Sequence, residues 1–251
     1  MFAYASELGR QRRKNPGDDI FSAIAAATEN GQQLSDVDLG CFFLILATAG
    51  NETTRTLILQ GVLALIQNPD QLALLLRDRS LLPNAIEEML RYSTPAMCFG
   101  RKALVDTVVG GQLIKAGQQV VLWYCSGSRD ESVFEKPDIF DVTRRNAREH
   151  QAFGAKGGIH QCLGSMLARS ELIAVFDELL TRMPDIELAG PVVRVRSNFA
   201  NGIKNMPVRF TPGHASTQAS RARLYATESH GCPVYSGPDK GGCPVAHEGD
   251  A

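Results

Sequence analysis

Residues 153–164 form a glycine-rich segment that contains Cys162 and precedes a stretch predicted to be helical. The positive partial charge at a helix N-terminus favours the thiolate, which is the form of cysteine that binds metals. Glycine also lets a backbone approach a flat and bulky ligand closely. The glycines of this segment are Gly154, Gly157, Gly158 and Gly164. The same arrangement would suit a phosphate, and a single cysteine is more often a small buried apolar residue, so the segment alone leaves three interpretations open.

The motif Ala-Gly-Asn-Glu-Thr-Thr at residues 49–54 lies in the middle of a long predicted helix whose first half is apolar. Glycine costs a helix about 1 kcal/mol relative to alanine, and a buried carboxylate or hydroxyl costs more unless it has a partner. A threonine hydroxyl can also bond to the carbonyl one turn earlier and bend the helix. The motif indicates either an opening where a small ligand and water lie against the helix, or a helix that emerges into solvent at Asn51.

A third motif, Glu-x-x-Arg, consists of Glu88 and Arg91, which share one face of a short predicted helix. Taken alone, such a pair is usually exposed and contributes roughly a few tenths of a kcal/mol to stability. Its meaning therefore depends on the other two motifs.

The order of these three motifs along the chain resembles the cytochrome P-450 family of haem-thiolate monooxygenases. The resemblance covers roughly residues 31–210; the cysteine loop is its most specific part and Glu-x-x-Arg its weakest. The chain is most similar to soluble actinobacterial members that oxidise sterols and related lipids. That closer likeness is carried by residues 49–55, the pair Trp123-Tyr124 and residues 201–204.

The resemblance implies a haem b whose iron is ligated by the Cys162 thiolate, which would push electron density onto the iron and favour O–O cleavage. It implies that His160 and Arg101 hold the haem propionates, Arg101 through a charge-assisted pair. Phe153 would pack near the haem on the sulfur side, and Gly164 would let the backbone lie close to the ring.

The resemblance also implies a monooxygenase that inserts one atom of dioxygen into a C–H bond of an apolar, sterol- or lipid-like substrate. Gly50, Glu52 and Thr53 would line the oxygen groove, and the latter two would relay protons to bound dioxygen. The implied substrate pocket is lined by Met97, Cys98, Phe99, Phe199 and Ala200. Electrons would come from a ferredoxin and a ferredoxin reductase, since no flavin or iron–sulfur pattern occurs in the chain.

In the family, the Glu-x-x-Arg pair belongs to a buried network with a further arginine. The resemblance therefore implies that Glu88 and Arg91 are structural and join either Arg144 or Arg145. The sequence does not decide between these two neighbours.

Two features depart from the family pattern. Phe153 lies nine positions before Cys162, whereas the usual spacing is F-x-x-G-x-x-x-C, so Ala155-Lys156 resemble a two-residue insertion that puts the packing of Phe153 in doubt. The chain also begins only a few turns before the groove helix. We therefore expect an N-terminally incomplete cytochrome P-450 fold that does not turn over substrate by itself; the alternative is a non-catalytic haem-binding or regulatory fragment.

Composition is that of a soluble globular protein, with 44% hydrophobic and 21% charged residues and a net charge of −1. The charge gives no field that would attract nucleic acid. The longest apolar run, residues 39–50, is too short for the roughly 20 residues that span a bilayer. These features predict a cytoplasmic protein with reduced cysteines.

The elements predicted from periodicity and breakers are mainly helical, with a small β region, which is an α+β arrangement. Helix is expected up to about residue 30 with a break at 15–17, from the Ser35 cap to Pro69, over 83–92 and over 163–183. The apolar half of the long helix, residues 39–49, is expected to be buried on every side. Strands are expected within 104–124, around turns at Gly110-Gly111 and Ala116-Gly117, and again up to about 210, with a long loop over 125–161.

Residues 1–212 are predicted to form the haem domain and residues 213–251 a tail with the composition of disordered segments. The tail repeats Gly-Cys-Pro-Val. Its side chains His230, Cys232, Cys243 and His247 have ligand types that could bind zinc, but the favoured interpretation is a tail without a metal.

Overall fold

The computed structural model describes residues 1–29, 31–154 and 158–212. Seven α-helices lie within these residues: α1 (Phe2–Lys14), α2 (Ile20–Ala26), α3 (Asp36–Gln67), α4 (Pro69–Arg77), α5 (Leu82–Ser93), α6 (Tyr124–Gly127) and α7 (Ser165–Arg182). Short 3₁₀ turns occur at Arg79–Leu81 and Ala147–Glu149. The predicted tail, residues 213–251, lies outside the described residues together with its four candidate zinc ligands.

Ten short strands pair antiparallel in the described part of the chain. They are β1 (Thr28–Glu29) with β2 (Gln32–Gln33), β3 (Cys98–Lys102) with β6 (Gln119–Trp123), β4 (Thr107–Val109) with β5 (Gln112–Ile114), β7 (Glu187–Leu188) with β10 (Val208–Arg209), and β8 (Val193–Arg194) with β9 (Ile203–Asn205). The predicted class, mainly helical with a small β region, is confirmed.

Helix α3 begins and ends where its sequence signals predict. The Ser35 side chain accepts a hydrogen bond from the Asp38 amide at 3.1 Å, and the Asp38 carboxylate accepts one from the Ser35 amide at 3.2 Å. This capping box satisfies two of the free amides at the helix N-terminus. At the other end, Pro69 does not simply stop the helix but starts α4, because proline is well suited to the first helical turn.

The expectation that residues 39–49 are buried on every side is wrong. Leu39 is fully buried, in a cluster with Phe21 and Ala25, whereas Ile45 is 63% exposed. The described residues pack on one side of this half of α3, through α1 and α2. An apolar helix surface is buried only where other elements cover it, so the pattern predicted the chemistry of the surface but not its partners.

The main core lies between the second half of α3 and helices α5 and α7. A Cβ on Gly61 would lie 2.6 Å from the Phe176 ring and 2.7 Å from the Met89 sulfur, so glycine permits the close approach of these helices. Gly61→Ala is therefore expected to destabilise the fold by about 1–3 kcal/mol, despite the better helix propensity of alanine. Urea unfolding measures the difference.

Gly50→Ala is the matched control in the same helix, because a Cβ there would have no neighbour within 4 Å among the described residues. Alanine at that position is expected to be neutral or to stabilise by up to about 1 kcal/mol. Equal changes in the free energy of unfolding for the two variants would contradict the packing argument for Gly61.

The β region follows its predicted turns but contains one strand that the sequence did not reveal. Gly110 and Gly111 have φ angles of +57° and +78°, which is the left-handed pair required by a type I′ hairpin turn. Strand β3 was not predicted, because it contains Gly100 and two charged residues. It forms by pairing with β6, from Cys98 opposite Trp123 to Lys102 opposite Gln119.

Candidate functional site

Cys162 lies at the N-terminal end of α7, two residues before its cap residue Gly164. Its amide donates to the Phe153 carbonyl at 2.9 Å, and its carbonyl accepts from the Ser165 amide at 3.3 Å. Its free thiol belongs to an exposed residue. Both backbone groups of Cys162 are thus fixed, while the side chain is available to a ligand beside the positive end of a helix.

The hydrogen bond from the Cys162 amide to the Phe153 carbonyl closes the loop that carries the apparent insertion. Residues 155–157, which include Ala155, Lys156 and Gly157, lie outside the described residues. Gly154 has a φ of +79°, and a Cβ there would lie 3.3 Å from the His160 carbonyl oxygen, so both its conformation and its surroundings favour glycine. The longer spacing therefore leaves the two ends of the loop paired.

Arg101 and His160 line the same cleft, which has a volume of about 390 Å³. Strand β3 carries Arg101, and the cysteine loop carries His160. The other lining residues are Leu122, Trp123, Tyr124, Gln151, Gly158, Ile159 and Gln161. A mainly apolar wall with a guanidinium and an imidazole suits a flat apolar molecule that also bears carboxylates.

Exposed apolar side chains continue from this cleft along the cysteine loop into α7. Ile159 is 97% exposed and Leu163 is 78% exposed, and Met166 and Leu167 are each more than half exposed. These exposed apolar side chains lie on both sides of Cys162 in the sequence and add to the surface that could contact a bound ring.

The motif at residues 49–54 forms a continuous part of α3. Gly50 and Glu52 are exposed, and the Glu52 carboxylate pairs with Arg55 at 2.9 Å. The Thr53 hydroxyl donates to the Ala49 carbonyl, which is the back-bond expected for threonine in a helix. The Glu52 carboxylate is thus exposed and paired with Arg55, not buried.

The two segments predicted to line a substrate pocket lie together. The Met97 amide donates to the Phe199 carbonyl at 2.8 Å, and Ala200 forms a β-bridge with Ala96. The Phe99 and Phe199 rings meet edge to face, with 5.4 Å between their centroids. The Cys98 sulfur lies 3.6 Å from the Asn198 carbonyl oxygen. All five predicted residues therefore belong to one partly apolar junction.

This junction is also close to the groove motif. A Cβ on Gly202 would lie 3.9 Å from a Glu52 carboxylate oxygen. About two turns further along α3, the Gln60 amide group donates to the Asn201 carbonyl at 2.6 Å. The segment of Phe199 and Ala200 is thus tied to the helix that carries Glu52.

Glu88 and Arg91 lie in a fully buried network, and the second arginine is Arg144. The Arg91 guanidinium donates to the two Glu88 oxygens at 2.7 and 2.8 Å, and Arg144 Nε lies 3.1 and 3.2 Å from the same oxygens. The Asp141 amide donates to Glu88 as well, at 2.9 Å. Arg145 is exposed. The network ties α5 to the long loop after α6.

A second buried carboxylate, Glu87, was not singled out from the sequence. It is 2% exposed, forms ion pairs with Arg169 and Arg148, and is hydrogen-bonded to His150. Burial by itself would raise the pKa of Glu87, but hydrogen bonds from His150 and Arg169 and the charge of Arg169 lower it to about 2. The partners lie more than 60 positions away, so no local pattern indicates them.

The family model described as Cytochrome P-450 matches residues 4–183, which include all three motifs. This match covers more than half of the chain. The chain belongs to the cytochrome P-450 family, and the predicted resemblance is confirmed.

Three similar proteins illustrate the range of the family around this chain. The methyl-branched lipid omega-hydroxylase of Mycobacterium tuberculosis is 42% identical over 215 residues, which are 83% of this chain and 49% of that protein. The steroid C26-monooxygenase of Rhodococcus jostii is 39% identical over 234 residues, 93% of this chain and 46% of that protein. A Mycobacterium marinum cytochrome P-450 in complex with pseudoionone is 45% identical with a TM-score of 0.77, and the match covers 83% of this chain and 50% of that one.

The chain spans about half the length of the curated relatives it matches. Among the described residues, no helix has both the length and the apolar character needed to cross a membrane.

Proposed function

We propose that the chain contributes the cysteine-bearing portion of a haem-dependent monooxygenase, which inserts one oxygen atom of dioxygen into a C–H bond of an apolar substrate. One observation carries the proposal. Cys162 is exposed at the N-terminal end of α7, next to a cleft that contains both Arg101 and His160. The sulfur, the apolar wall and the two side chains that could bind carboxylates, Arg101 and His160, thus lie side by side.

These residues fit haem b, which supplies an iron that activates dioxygen when it is bound. Cys162 would ligate the iron through its sulfur. Arg101 would pair with one propionate, and His160 would donate to a propionate. In the described part of the chain, Gly164 has no neighbour within 4 Å of a Cβ position, which leaves room for a ring against the backbone.

On the α3 side, Gly50 would leave space for dioxygen, and Glu52 and Thr53 would hold and pass protons. Two observations support this assignment. Among the described residues, Gly50 has no neighbour within 4 Å of a Cβ position, and the Glu52 carboxylate is exposed, where it can exchange protons with water.

A sterol or a branched lipid is the substrate class that we propose. The junction of Met97, Phe99 and Phe199 offers apolar contacts, and the names of two relatives specify a methyl-branched lipid and a steroid. We further propose a cytoplasmic protein that receives electrons from a ferredoxin and a ferredoxin reductase.

A haem-binding role without catalysis is the second candidate. The observation that favours it is the exposure of the groove side of α3, where Ile45 is 63% exposed. An oxygen-activating site has to exclude water to protect its reactive species, and the described residues leave this side open.

Ligand titration tests the substrate class. We expect the haem-loaded chain to respond to cholesterol and to a methyl-branched fatty acid with a shift of its Soret band, because an apolar ligand bound at the junction would change the surroundings of the haem. Phe199→Ser should weaken the apparent affinity about tenfold, because an aromatic contact of this size contributes on the order of 1–3 kcal/mol.

Val108→Ser is the matched control, since Val108 is an exposed apolar residue of the β4–β5 hairpin. It should leave the titration unchanged. A Soret response limited to small polar ligands, or equal affinities in wild type and Phe199→Ser, would contradict the proposed substrate class.

A further inference from the structure

Glu87 and Glu88 are neighbours on α5, yet they join different parts of the molecule. Glu88 bonds to Arg91, Arg144 and the Asp141 amide, none of which belongs to the cysteine loop. Glu87 instead contacts Arg169 and His150, which lie on either side of that loop in sequence and both contact its first residue, Phe153. Its two carboxylate oxygens receive Arg169 Nε at 2.7 Å and Nη2 at 3.0 Å, which is a bidentate pair of high geometric specificity.

Arg169 extends this contact toward Cys162. It lies on α7, and its Nη1 donates to the carbonyl of Ser165, the first residue of that helix, at 3.3 Å. Its guanidinium carbon lies 4.7 Å from the centroid of the Phe153 ring, in cation–π contact. Phe153 is the residue whose carbonyl accepts the Cys162 amide.

His150 contacts Oε2 of Glu87, the oxygen that also accepts from Arg169 Nη2, and it contacts the same Phe153 ring. Its Nδ1 accepts from the Ala152 amide at 3.1 Å, which leaves Nε2 to donate to Glu87 at 3.1 Å. The imidazole meets the Phe153 ring edge to face, with centroids 5.6 Å apart. Two partners of Glu87 thus hold Phe153 from two directions.

We propose that Glu87 is a positioning residue for the Cys162 sulfur, acting through Arg169 and His150 on Phe153 and so on the backbone of the cysteine loop. This inference rests on the proposed haem ligation by Cys162. The bidentate pair with Glu87 fixes the Arg169 guanidinium over the Phe153 ring. Phe153 is thereby held in place, and its carbonyl, which accepts from the Cys162 amide, orients the Cys162 sulfur toward the iron. Loss of the carboxylate charge frees both partners and lets the loop adopt positions in which the sulfur no longer ligates iron.

The test uses the haem-loaded 251-residue chain, reduced and exposed to carbon monoxide, and reads the fraction of haem with the red-shifted Soret band of thiolate ligation. Glu87→Gln keeps the size of the side chain and should lower this fraction at least twofold at equal haem content. Arg169→Lys keeps the positive charge but removes the guanidinium that makes the bidentate pair, and it should also lower this fraction at least twofold. The double variant should lose no more than the larger single loss, because both act through one contact.

Glu149→Gln removes an exposed carboxylate from the neighbouring 3₁₀ turn and should leave the fraction unchanged. If Glu87→Gln does not fold, the Arg169→Lys variant tests the positioning role, since Arg169 is partly exposed and its substitution should leave the fold intact. A full thiolate signal in Arg169→Lys, or losses that add in the double variant, would overturn the positioning role. A wild-type chain that lacks the signal would refute the proposed function and this inference together, whereas a Cys162-dependent wild-type signal that Glu87→Gln preserves would refute the inference alone.

Discussion

Replacing Arg91 with alanine is expected to lower the free energy of unfolding by about 3–5 kcal/mol. Arg91 and Glu88 are both fully buried, and the guanidinium also donates to the Ser128 and Pro137 carbonyls. Alanine would leave a buried carboxylate with one fewer charged partner and two carbonyls without a donor. A loss of this size approaches the whole stability of many domains, so we expect little soluble protein.

Urea unfolding of whatever soluble fraction remains, together with the yield, measures this effect. Arg145→Ala is the matched control, because Arg145 is the exposed neighbour of Arg144. Its stability should change by no more than about 0.5 kcal/mol. A loss below about 1 kcal/mol for Arg91→Ala would mean that water or other groups replace the network, and would contradict its structural role.

Cys162→Ala is expected to abolish the red-shifted Soret band of the reduced, carbon monoxide-treated chain after haem loading. The reason is that alanine has no ligand atom, while the cleft with Arg101 and His160 stays intact and can still hold the ring. Haem content should therefore fall less than the thiolate signal does.

Cys41→Ala supplies the control for this substitution, since Cys41 is also an exposed free cysteine but lies on α3. It should retain the full band. Persistence of the band in Cys162→Ala would assign the sulfur ligand to another cysteine and would make the proposed site wrong.

Local signals predicted much of the fold. The Ser35–Asp38 capping box and the Gly110-Gly111 turn depend on residues a few positions apart, so the sequence contains the whole interaction. Strand β3 depends on pairing with β6, which is distant in sequence and does not appear in a local pattern. Helix α4 was missed because Pro69 was interpreted as a stop and not as a first-turn residue.

Burial was the least predictable property of α3. The apolar composition of residues 39–49 predicted complete burial, but coverage depends on which other elements pack there. For Glu52 the sequence left open whether the helix borders a ligand opening or emerges into solvent at Asn51, and the fold was needed to show that the carboxylate is exposed and paired with Arg55.

The sequence predicted individual residues of the candidate site but not the contacts that join them. The motifs indicated Arg101, His160 and Cys162, and the structure places the first two in one cleft beside the third. The choice between Arg144 and Arg145 required the fold, because adjacent side chains point to different surroundings. Glu87 was missed for the same reason: its partners His150 and Arg169 come from distant segments.

The central claim is that the Cys162 sulfur ligates haem iron, and X-ray absorption at the iron edge of the haem-loaded chain tests it most directly. The account predicts one sulfur scatterer in the first coordination shell of the wild-type protein, retained in Cys41→Ala and absent in Cys162→Ala. This measurement separates sulfur from nitrogen ligation, for example by His160, without reliance on turnover. A wild-type spectrum described fully by nitrogen and oxygen ligands, or a sulfur scatterer that survives in Cys162→Ala, would contradict the account.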